Sequence, residues 1–322
     1  MRKLILDTDV GSDDAVAMIM TLKNPEFDVL AITTVSGNVD MNQATLNALQ
    51  ILDELEMDVP VYMGESVPLK REIVHAENVH GPDGMGGCGL IHPQRKAQTD
   101  KNAIEAILDL VKQYPDEIEI AVIGPATNIA KAILADSQTM SHVKAIYSMG
   151  TSGFGEGNTT PVAEFNVFAD AEAYQIMLNS GIKTYVAGID TCFKETYLNA
   201  EEMDMLVNSG NKVAKFAVEC NKELINYFDK NYGVRAASLP DAVALGCMMW
   251  DDIYSEAVPC NAYVCTEDKY LYGQVVFYSE HRNQIMNAFG EKLGDELKAD
   301  CYVYTGINAH LFRKKLCEIL LS

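Results

Sequence analysis

Four carboxylates, Asp7, Asp9, Asp13 and Asp14, fall within eight residues near the start of the sequence. An apolar run precedes them, Gly11 permits a tight turn between them, and an apolar helical pattern follows, so they lie where a strand meets a helix. Capping and the helix dipole favour one or two acids there, whereas four repel one another strongly unless a cation neutralises them. The stretch predicts a site for a hard divalent metal ion; the alternative is a heavily capped helix start with solvated acids.

The polar residues Asn38, Thr127 and Asn128, and the pair Met149-Gly150, also lie at the carboxyl ends of other predicted strands. In open α/β sheets, ligands bind in the crevice outside these strand ends, so we expect these residues and the aspartates to share one site. Carboxylate, carbonyl and amide oxygens suit Ca²⁺ or Mg²⁺, and the lack of His and Cys in this set argues against zinc.

The elements that must position these residues alternate along the chain. After a first strand at Leu4–Leu6, buried strands are predicted at 28–35, 59–63, 118–123, 143–149 and 184–188, and helices near 13–22, 41–56, 101–113, 128–135 and 171–180. Apolar strands that alternate with helices indicate a parallel sheet covered on both faces. From about 199 to 250 the pattern is mostly helical, and the tail adds strand-like runs and a closing helix at 308–321. We therefore predict one α/β domain over residues 1–322, with a doubly wound, mostly parallel sheet and a helical cap at about 199–250.

Composition excludes several classes of partner. The 322 residues include 25 basic and 46 acidic side chains, for a formal charge of −21, which disfavours binding to nucleic acids and to anionic membranes. No apolar run approaches the roughly 18 residues of a membrane span, and no cleavable apolar segment is recognisable. The eight cysteines form no Cys-x-x-Cys pair, so we expect reduced thiols and a cytoplasmic protein.

Five further motifs accompany the aspartate stretch in the sequence: Ser36-Gly-Asn38, His80-Gly-Pro-Asp-Gly84, Gly124-Pro-Ala-Thr-Asn128, Met149-Gly150 and Gly157-Asn-Thr-Thr-Pro-Val-Ala-Glu-Phe-Asn166. Together, and in this order, they resemble the nucleoside hydrolases of the inosine–uridine-preferring type. The resemblance spans essentially the whole chain. It implies a Rossmann-like, doubly wound domain that binds one Ca²⁺ at the bottom of a pocket and cleaves the N-glycosidic bond of ribonucleosides, in a homodimer or homotetramer.

The resemblance also implies roles for individual residues. The Ca²⁺ ligands would be Asp9, Asp14, Asp241 and the backbone carbonyl of Thr127. Asp13 would be the general base that takes a proton from the attacking water. The ribose would be bound by Asn38, Met149, Asn158, Glu164, Asn166 and Asp241, whose oxygens would stabilise the positive charge that develops near C1′.

The sequence departs from the family pattern at one position, where Pro240 replaces a histidine that the family often has before the aspartate corresponding to Asp241. Because proline has no proton to donate, another residue must assist the departing base. The candidates to assist the base are His80, Tyr227 and Arg235, and we also expect Arg235 and Trp250 to bind the substrate.

Two other functions are compatible with parts of the sequence. A protein that binds nucleosides or ribose without efficient turnover is suggested by Pro240, although such a protein would not need Asp13. A Mg²⁺-dependent phosphohydrolase of the haloacid dehalogenase type is suggested by Asp7-Thr-Asp9 after a strand, but it would leave the motif that ends at Asn166 unexplained.

Overall fold

The computed structural model describes residues 1–87, 93–279 and 301–322. Its strands are β1 (Arg2–Thr8), β2 (Phe27–Thr34), β3 (Val61–Met63), β4 (Ile118–Val122), β5 (Ala145–Met149), β6 (Thr184–Ala187), β7 (Leu198–Asn199), β8 (Ala236–Ala237), β9 (Glu256–Val264), β10 (Val275–Tyr278) and β11 (Cys301–Thr305). Its α-helices are α1 (Ser12–Lys23), α2 (Met41–Glu54), α3 (Glu77–His80), α4 (Ala103–Gln113), α5 (Thr127–Ala135), α6 (Ser137–Met140), α7 (Phe165–Ala169), α8 (Ala171–Leu178), α9 (Ala200–Asn208), α10 (Lys212–Glu219), α11 (Lys222–Tyr232), α12 (Pro240–Met249) and α13 (Ala309–Leu321).

Nine of the described strands form one sheet in the order β10-β9-β11-β6-β5-β4-β1-β2-β3. All pairs from β11 to β3 are parallel, whereas β9 runs antiparallel to both of its neighbours. The prediction of a mostly parallel sheet is therefore confirmed. From β1 the chain adds β2 and β3 on one side and β4, β5 and β6 on the other, so the strand order reverses between β1 and β4. This reversal is where doubly wound sheets open a crevice for ligands.

Alternate residues of β1 point into two separate cores. Leu4 and Leu6 pack in one core with residues of α1, α12 and α13, whereas Ile5 packs in the other with residues of α5 and α8. Both faces of the sheet are thus covered by helices, which explains why consecutive residues such as Leu4, Ile5 and Leu6 of β1 are all apolar. This arrangement confirms the predicted doubly wound α/β fold.

The region from 199 to 250 is mostly helical, as the sequence indicates. Helix α11 contacts α3, while α12 packs against α1 and β5. The single domain with a cap at about 199–250 stays a prediction. In the described ranges, the helices are too short or too polar to cross a membrane.

Candidate active site

The turn between β1 and α1 brings Asp14 into a network of donors. Its Oδ1 accepts a hydrogen bond from Thr8 Oγ1 at 2.6 Å, and its Oδ2 accepts from the backbone N of Gly11 at 2.9 Å and from Asn38 Nδ2 at 3.0 Å. Asp14 is the third residue of α1, so its carboxylate reaches back to the residue that caps the helix. Two strand ends and a helix start therefore hold this side chain in one orientation.

Asp9 lies in a space that two glycines keep open. Its Oδ2 accepts a hydrogen bond from the backbone N of Asn38 at 2.6 Å, and its Oδ1 is buried without a hydrogen-bond partner. A Cβ at Gly37 would overlap Asp9 Oδ2, and a Cβ at Gly124 would lie 2.9 Å from Asp9 Oδ1. Only glycine at both positions leaves room for the carboxylate and for a ligand beside it.

Asp241, which is distant in sequence from the other aspartates, completes the cluster. It is the second residue of α12, where Pro240 occupies the first helical position, and carboxylate oxygens of Asp13, Asp14 and Asp241 all lie within 4.8 Å of one another. All three residues are buried. Asp9 belongs to the same group electrostatically, because the charge of Asp14 helps to raise its pKa.

The cluster strongly favours neutralisation. Burial raises the pKa of Asp13 to about 6, and burial together with the charge of Asp13 raises the pKa of Asp14 to about 6. Burial and neighbouring carboxylates hold the pKa values of Asp9 and Asp241 well above their usual range. Such groups must share protons or bind a cation.

The chemistry of these side chains fits a hard divalent metal ion. Asp13 Oδ1 and Asp9 Oδ1 are buried and accept no hydrogen bond, and all the clustered donors are oxygens, as Ca²⁺ and Mg²⁺ prefer. Thr127, the first residue of α5, uses its hydroxyl to donate to Asp170 Oδ2 at 2.8 Å. The role of its backbone carbonyl in metal binding stays a prediction.

A cavity of about 620 Å³ opens above the carboxylates, a size typical of sites for small molecules. Of the predicted site residues, it is lined by Asp13, Asn38, His80, Met149, Asn158, Glu164, Asn166, Tyr227 and Asp241. Among the described residues that line it, none is a lysine or an arginine. The structure thus brings residues from widely separated motifs to one acidic cavity.

The wall formed by residues 149–166 is held by hydrogen bonds to the backbone. Asn166 Nδ2 donates to the carbonyl oxygens of Ile123 and Met149, at 3.1 and 3.3 Å. Glu164 caps α7 by accepting from the backbone N of Val167, and burial raises its pKa to about 7. These contacts fix the amide and carboxylate that face the cavity.

His80 lies beside the predicted base. Its Nδ1 is 3.6 Å from Asp13 Oδ1 and 2.9 Å from Ser12 Oγ. Burial lowers its pKa to about 4, so the imidazole is neutral near pH 7. A neutral imidazole donates from one ring nitrogen and accepts at the other.

Aromatic side chains form another part of the wall. Tyr227, Phe228 and Tyr232 lie on α11 and Phe193 follows β6, and all four line the cavity. The ring of Tyr227 is 6.0 Å from that of Phe228 and 6.4 Å from that of Tyr232, each in an edge-to-face arrangement. The upper cavity therefore offers aromatic faces of the kind that pack against a planar base.

The structure does not bring Arg235 and Trp250 to the cavity. Arg235 Nη2 pairs with Asp204 Oδ1 at 2.8 Å on the surface. Trp250 follows the last residue of α12, about 13 Å along the helix axis from Asp241, where Lys315 Nζ lies 5.6 Å from its ring centroid.

Several residues that hold the site had no assigned part in the sequence prediction. His75 lines the cavity and binds the carbonyl oxygen of Gly37 through Nδ1 at 2.9 Å. Ser12 contacts His80, and Asp170 holds Thr127. Asp7, predicted in the acidic cluster, instead accepts hydrogen bonds from Thr33 and Asn128. Ser12 lies inside the aspartate stretch, so the sequence could have identified it. His75 and Asp170 could not be identified in this way, because their partners Gly37 and Thr127 are distant in sequence.

Comparison with known proteins points to one family. The sequence matches the profile described as "Inosine-uridine preferring nucleoside hydrolase" over residues 4–314. The "Probable uridine nucleosidase 2" of Oryza sativa subsp. japonica is 36% identical over 256 residues, 79% of this chain and 76% of that protein. The "Pyrimidine-specific ribonucleoside hydrolase RihB" of Escherichia coli (strain SMS-3-5 / SECEC) is 33% identical over 252 residues, 78% of this chain and 79% of that protein.

A solved structure extends the similarity to the fold. The structure titled "Plant nucleoside hydrolase - PpNRh1 enzyme" matches with a TM-score of 0.90 at 28% sequence identity, and the match covers 100% of this chain and 99% of that one. The agreement in sequence and fold therefore extends over nearly the whole chain.

Proposed function

The chain belongs to the family of inosine-uridine preferring nucleoside hydrolases, and from this premise we propose that it is a Ca²⁺-dependent enzyme with Asp13 as its general base. The reaction class follows from the family: the enzyme hydrolyses the N-glycosidic bond of ribonucleosides. One water is added across the bond between C1′ and the base nitrogen, and the products are ribose and the free base.

We assign the metal ligands to Asp9, Asp14, Asp241 and the carbonyl of Thr127. The support is the cluster of buried carboxylates with raised pKa values and an oxygen of Asp9 that accepts no hydrogen bond. When bound, the ion supplies positive charge that attracts the vicinal hydroxyls of a ribose and lowers the pKa of a water molecule.

The choice of Asp13 as the base rests on access. Asp13 lines the cavity and is 7% exposed, whereas Asp9 and Asp14 are fully buried beneath it. A general base must touch the water whose proton it accepts. Asp13 Oδ1 has no hydrogen-bond partner to compete for that proton.

The walls of the cavity account for the remaining roles. Asn38, Asn158, Asn166, Glu164 and Met149 would bind the ribose. Their amide and carboxylate oxygens, together with Asp13 and Asp241, give the cavity a negative character that favours positive charge developing at C1′ in the transition state. His80 and Tyr227 line the same cavity, and we assign to them the donation to a departing base.

One observation carries the proposal: Asp13, which lines an acidic cavity, and Asp9, which is buried beneath it, each have a carboxylate oxygen without a hydrogen-bond partner, and the described residues that line the cavity include no lysine or arginine. The test is to incubate the protein with uridine, cytidine, inosine and adenosine in CaCl₂ and to measure reducing sugar. Uridine and cytidine come first, because the names of two relatives refer to uridine and to pyrimidine ribonucleosides.

Ribose release that disappears with EDTA and returns with CaCl₂ is the expected result. The matched variants are Asp14→Asn, which should lose both metal binding by calorimetry and activity, and Asp252→Asn, a surface carboxylate paired with Lys315, which should lose neither. Tight nucleoside binding without ribose from any of the four substrates would overturn the proposal and support the binding protein instead.

Two expectations about the protein's setting also stay proposals. We propose that the protein acts in the cytoplasm and that it forms a homodimer or homotetramer. Light scattering coupled to size-exclusion chromatography measures the second directly, and a monomeric mass would contradict it.

A further inference from the structure

Ser12 makes two contacts with one nitrogen of His80. Its Oγ lies 2.9 Å from His80 Nδ1, and its backbone N lies 3.4 Å from the same atom. Ser12 is the first residue of α1 and is fully buried. Both contacts therefore form inside the protein, where bulk water does not compete for them.

These contacts determine where the proton of the imidazole lies. A backbone N–H can only donate, so Nδ1 of His80 must accept, and it cannot carry a proton. The Ser12 hydroxyl then donates to the same nitrogen. Asp13 Oδ1 is 3.6 Å from Nδ1, beyond hydrogen-bond distance, and does not change this assignment. The single proton of the neutral ring is on Nε2, the nitrogen away from Ser12.

The backbone of His80 is fixed as well. Its N–H donates to the carbonyl oxygen of Ala76, and its carbonyl oxygen accepts from the N–H of Gly86, both at 3.1 Å. His80 ends the one-turn helix α3 and lines the cavity. The ring is thus held from its backbone and from Nδ1, which leaves Nε2–H as its free donor.

We propose that Ser12 is a positioning residue that fixes the Nε2–H tautomer of His80, so that His80 donates a hydrogen bond, and not its proton, to the departing base. This inference rests on the proposed hydrolase function. It supplies a donor that Pro240 cannot provide. A neutral imidazole can stabilise negative charge in this way without ever becoming charged.

The reaction balances without a protonated histidine. The bond between C1′ and the base nitrogen breaks with its electron pair going to the base, and the bond from C1′ to the water oxygen forms. The water proton goes to Asp13. The base departs as an anion whose charge is hydrogen-bonded by His80 Nε2–H, and it takes a proton from solvent after it leaves.

The kinetic test compares two leaving groups. The substrates are the best ribonucleoside of the four named above and p-nitrophenyl β-D-ribofuranoside, whose nitrophenolate leaves as a stable anion without help. We expect Ser12→Ala to lower kcat on the ribonucleoside about fivefold to tenfold, the size of one lost hydrogen bond, and to leave kcat on the nitrophenyl riboside within about twofold. Ser12→Thr, which restores a hydroxyl, should recover most of the loss.

Thr21→Val is the matched control, because Thr21 has a buried hydroxyl in the same helix that donates to the Ala17 carbonyl oxygen, away from the cavity. Its rates should equal those of the unchanged protein. Equal losses on both substrates for Ser12→Ala, or no loss on either, would overturn the inference, since the first indicates a general structural role and the second no role.

A spectroscopic measurement tests the tautomer without turnover. The ¹⁵N shifts of His80, assigned with a His80→Gln variant, should show the proton on Nε2 in the unchanged protein. In Ser12→Ala, which keeps only the longer contact from the backbone N at 3.4 Å, the fraction of the tautomer with its proton on Nδ1 should rise. A proton on Nδ1, or on both nitrogens, in the unchanged protein would overturn the inference even if ribose is released. If no substrate releases ribose but the tautomer is as expected, the hydrolase proposal fails and the role in catalysis fails with it.

Discussion

Removal of divalent metal ions should destabilise the protein more at pH 7.5 than at pH 5. Asp13 and Asp14 have pKa values of about 6 in the metal-free fold, above the usual 3.8. Between about pH 4 and pH 6 the folded protein therefore binds more protons than the unfolded chain. The free energy of unfolding falls as the pH rises through this window, and the loss is complete above it.

The pKa values set the size of the effect. A pKa displaced from 3.8 to about 6 corresponds to about 3 kcal/mol at pH 7.5 for a single carboxylate. At roughly 2 °C per kcal/mol for a chain of this size, neutralising one such charge raises Tm by about 6 °C. A metal ion at a hundredfold excess over its Kd supplies about 2.7 kcal/mol, a stabilisation of the same size.

The assay is thermal unfolding followed by circular dichroism, with EDTA-treated protein titrated with CaCl₂ at both pH values. At pH 5 protons compete for the carboxylates, so the Ca²⁺-dependent rise in Tm should be about half or less of that at pH 7.5. Asp14→Asn should remove the rise, and Asp252→Asn should keep it. A Tm that CaCl₂ leaves unchanged at pH 7.5, relative to NaCl of equal ionic strength, would refute the reasoning.

Three further outcomes follow from the geometry. Asp13→Asn should lower ribose release by about a hundredfold or more while calorimetry still detects Ca²⁺ binding; near-normal turnover would show that another group is the base. Gly37→Ala should weaken Ca²⁺ binding, because a Cβ would overlap Asp9 Oδ2. An unchanged Kd for Ca²⁺ would show that this Cβ does not displace the Asp9 carboxylate. Arg235→Ala should keep kcat/KM within about twofold and cost under about 1 kcal/mol in unfolding free energy, because Arg235 only pairs with Asp204 at the surface; a large rise in KM would place it at the substrate.

The fold was predictable because its main signals are local. The apolar stretches at 28–35 and 118–123 become β2 (Phe27–Thr34) and β4 (Ile118–Val122) with shifts of only a residue at either end. Both strands are covered on two faces, which favours the mostly apolar residues that they contain. The one-turn helices α3, α6 and α7 were not predicted, because four or five residues are too few to show a period of 3.6.

The site was predictable where its residues lie at strand ends or helix starts. Asn38 follows β2 and Asp14 lies in the first turn of α1, so topology alone places them together, and the structure joins them by a hydrogen bond of 3.0 Å. Side chains that follow α11 and α12 are different, because their directions depend on packing between distant parts of the chain. Arg235 and Trp250 illustrate this: both are near the cavity in sequence, but Asp204 and Lys315 hold them elsewhere.

Pro240, at a position where the resemblance to the family implies a histidine, provides no proton donor but is compatible with the site around it. It occupies the first position of α12, where the backbone N–H would have no helical partner and the fixed φ of proline suits the helix. Asp241 follows in the first turn, where the helix dipole favours its negative charge. The proline therefore suits the helix start that positions the carboxylate, while it offers no proton donor to the cavity wall. Because the proline costs the fold little, another donor that faces the departing base must provide its hydrogen bond. His80 can provide it only if its proton is on Nε2. For this reason Ser12, which touches no substrate, should affect catalysis more than its buried hydroxyl alone would suggest.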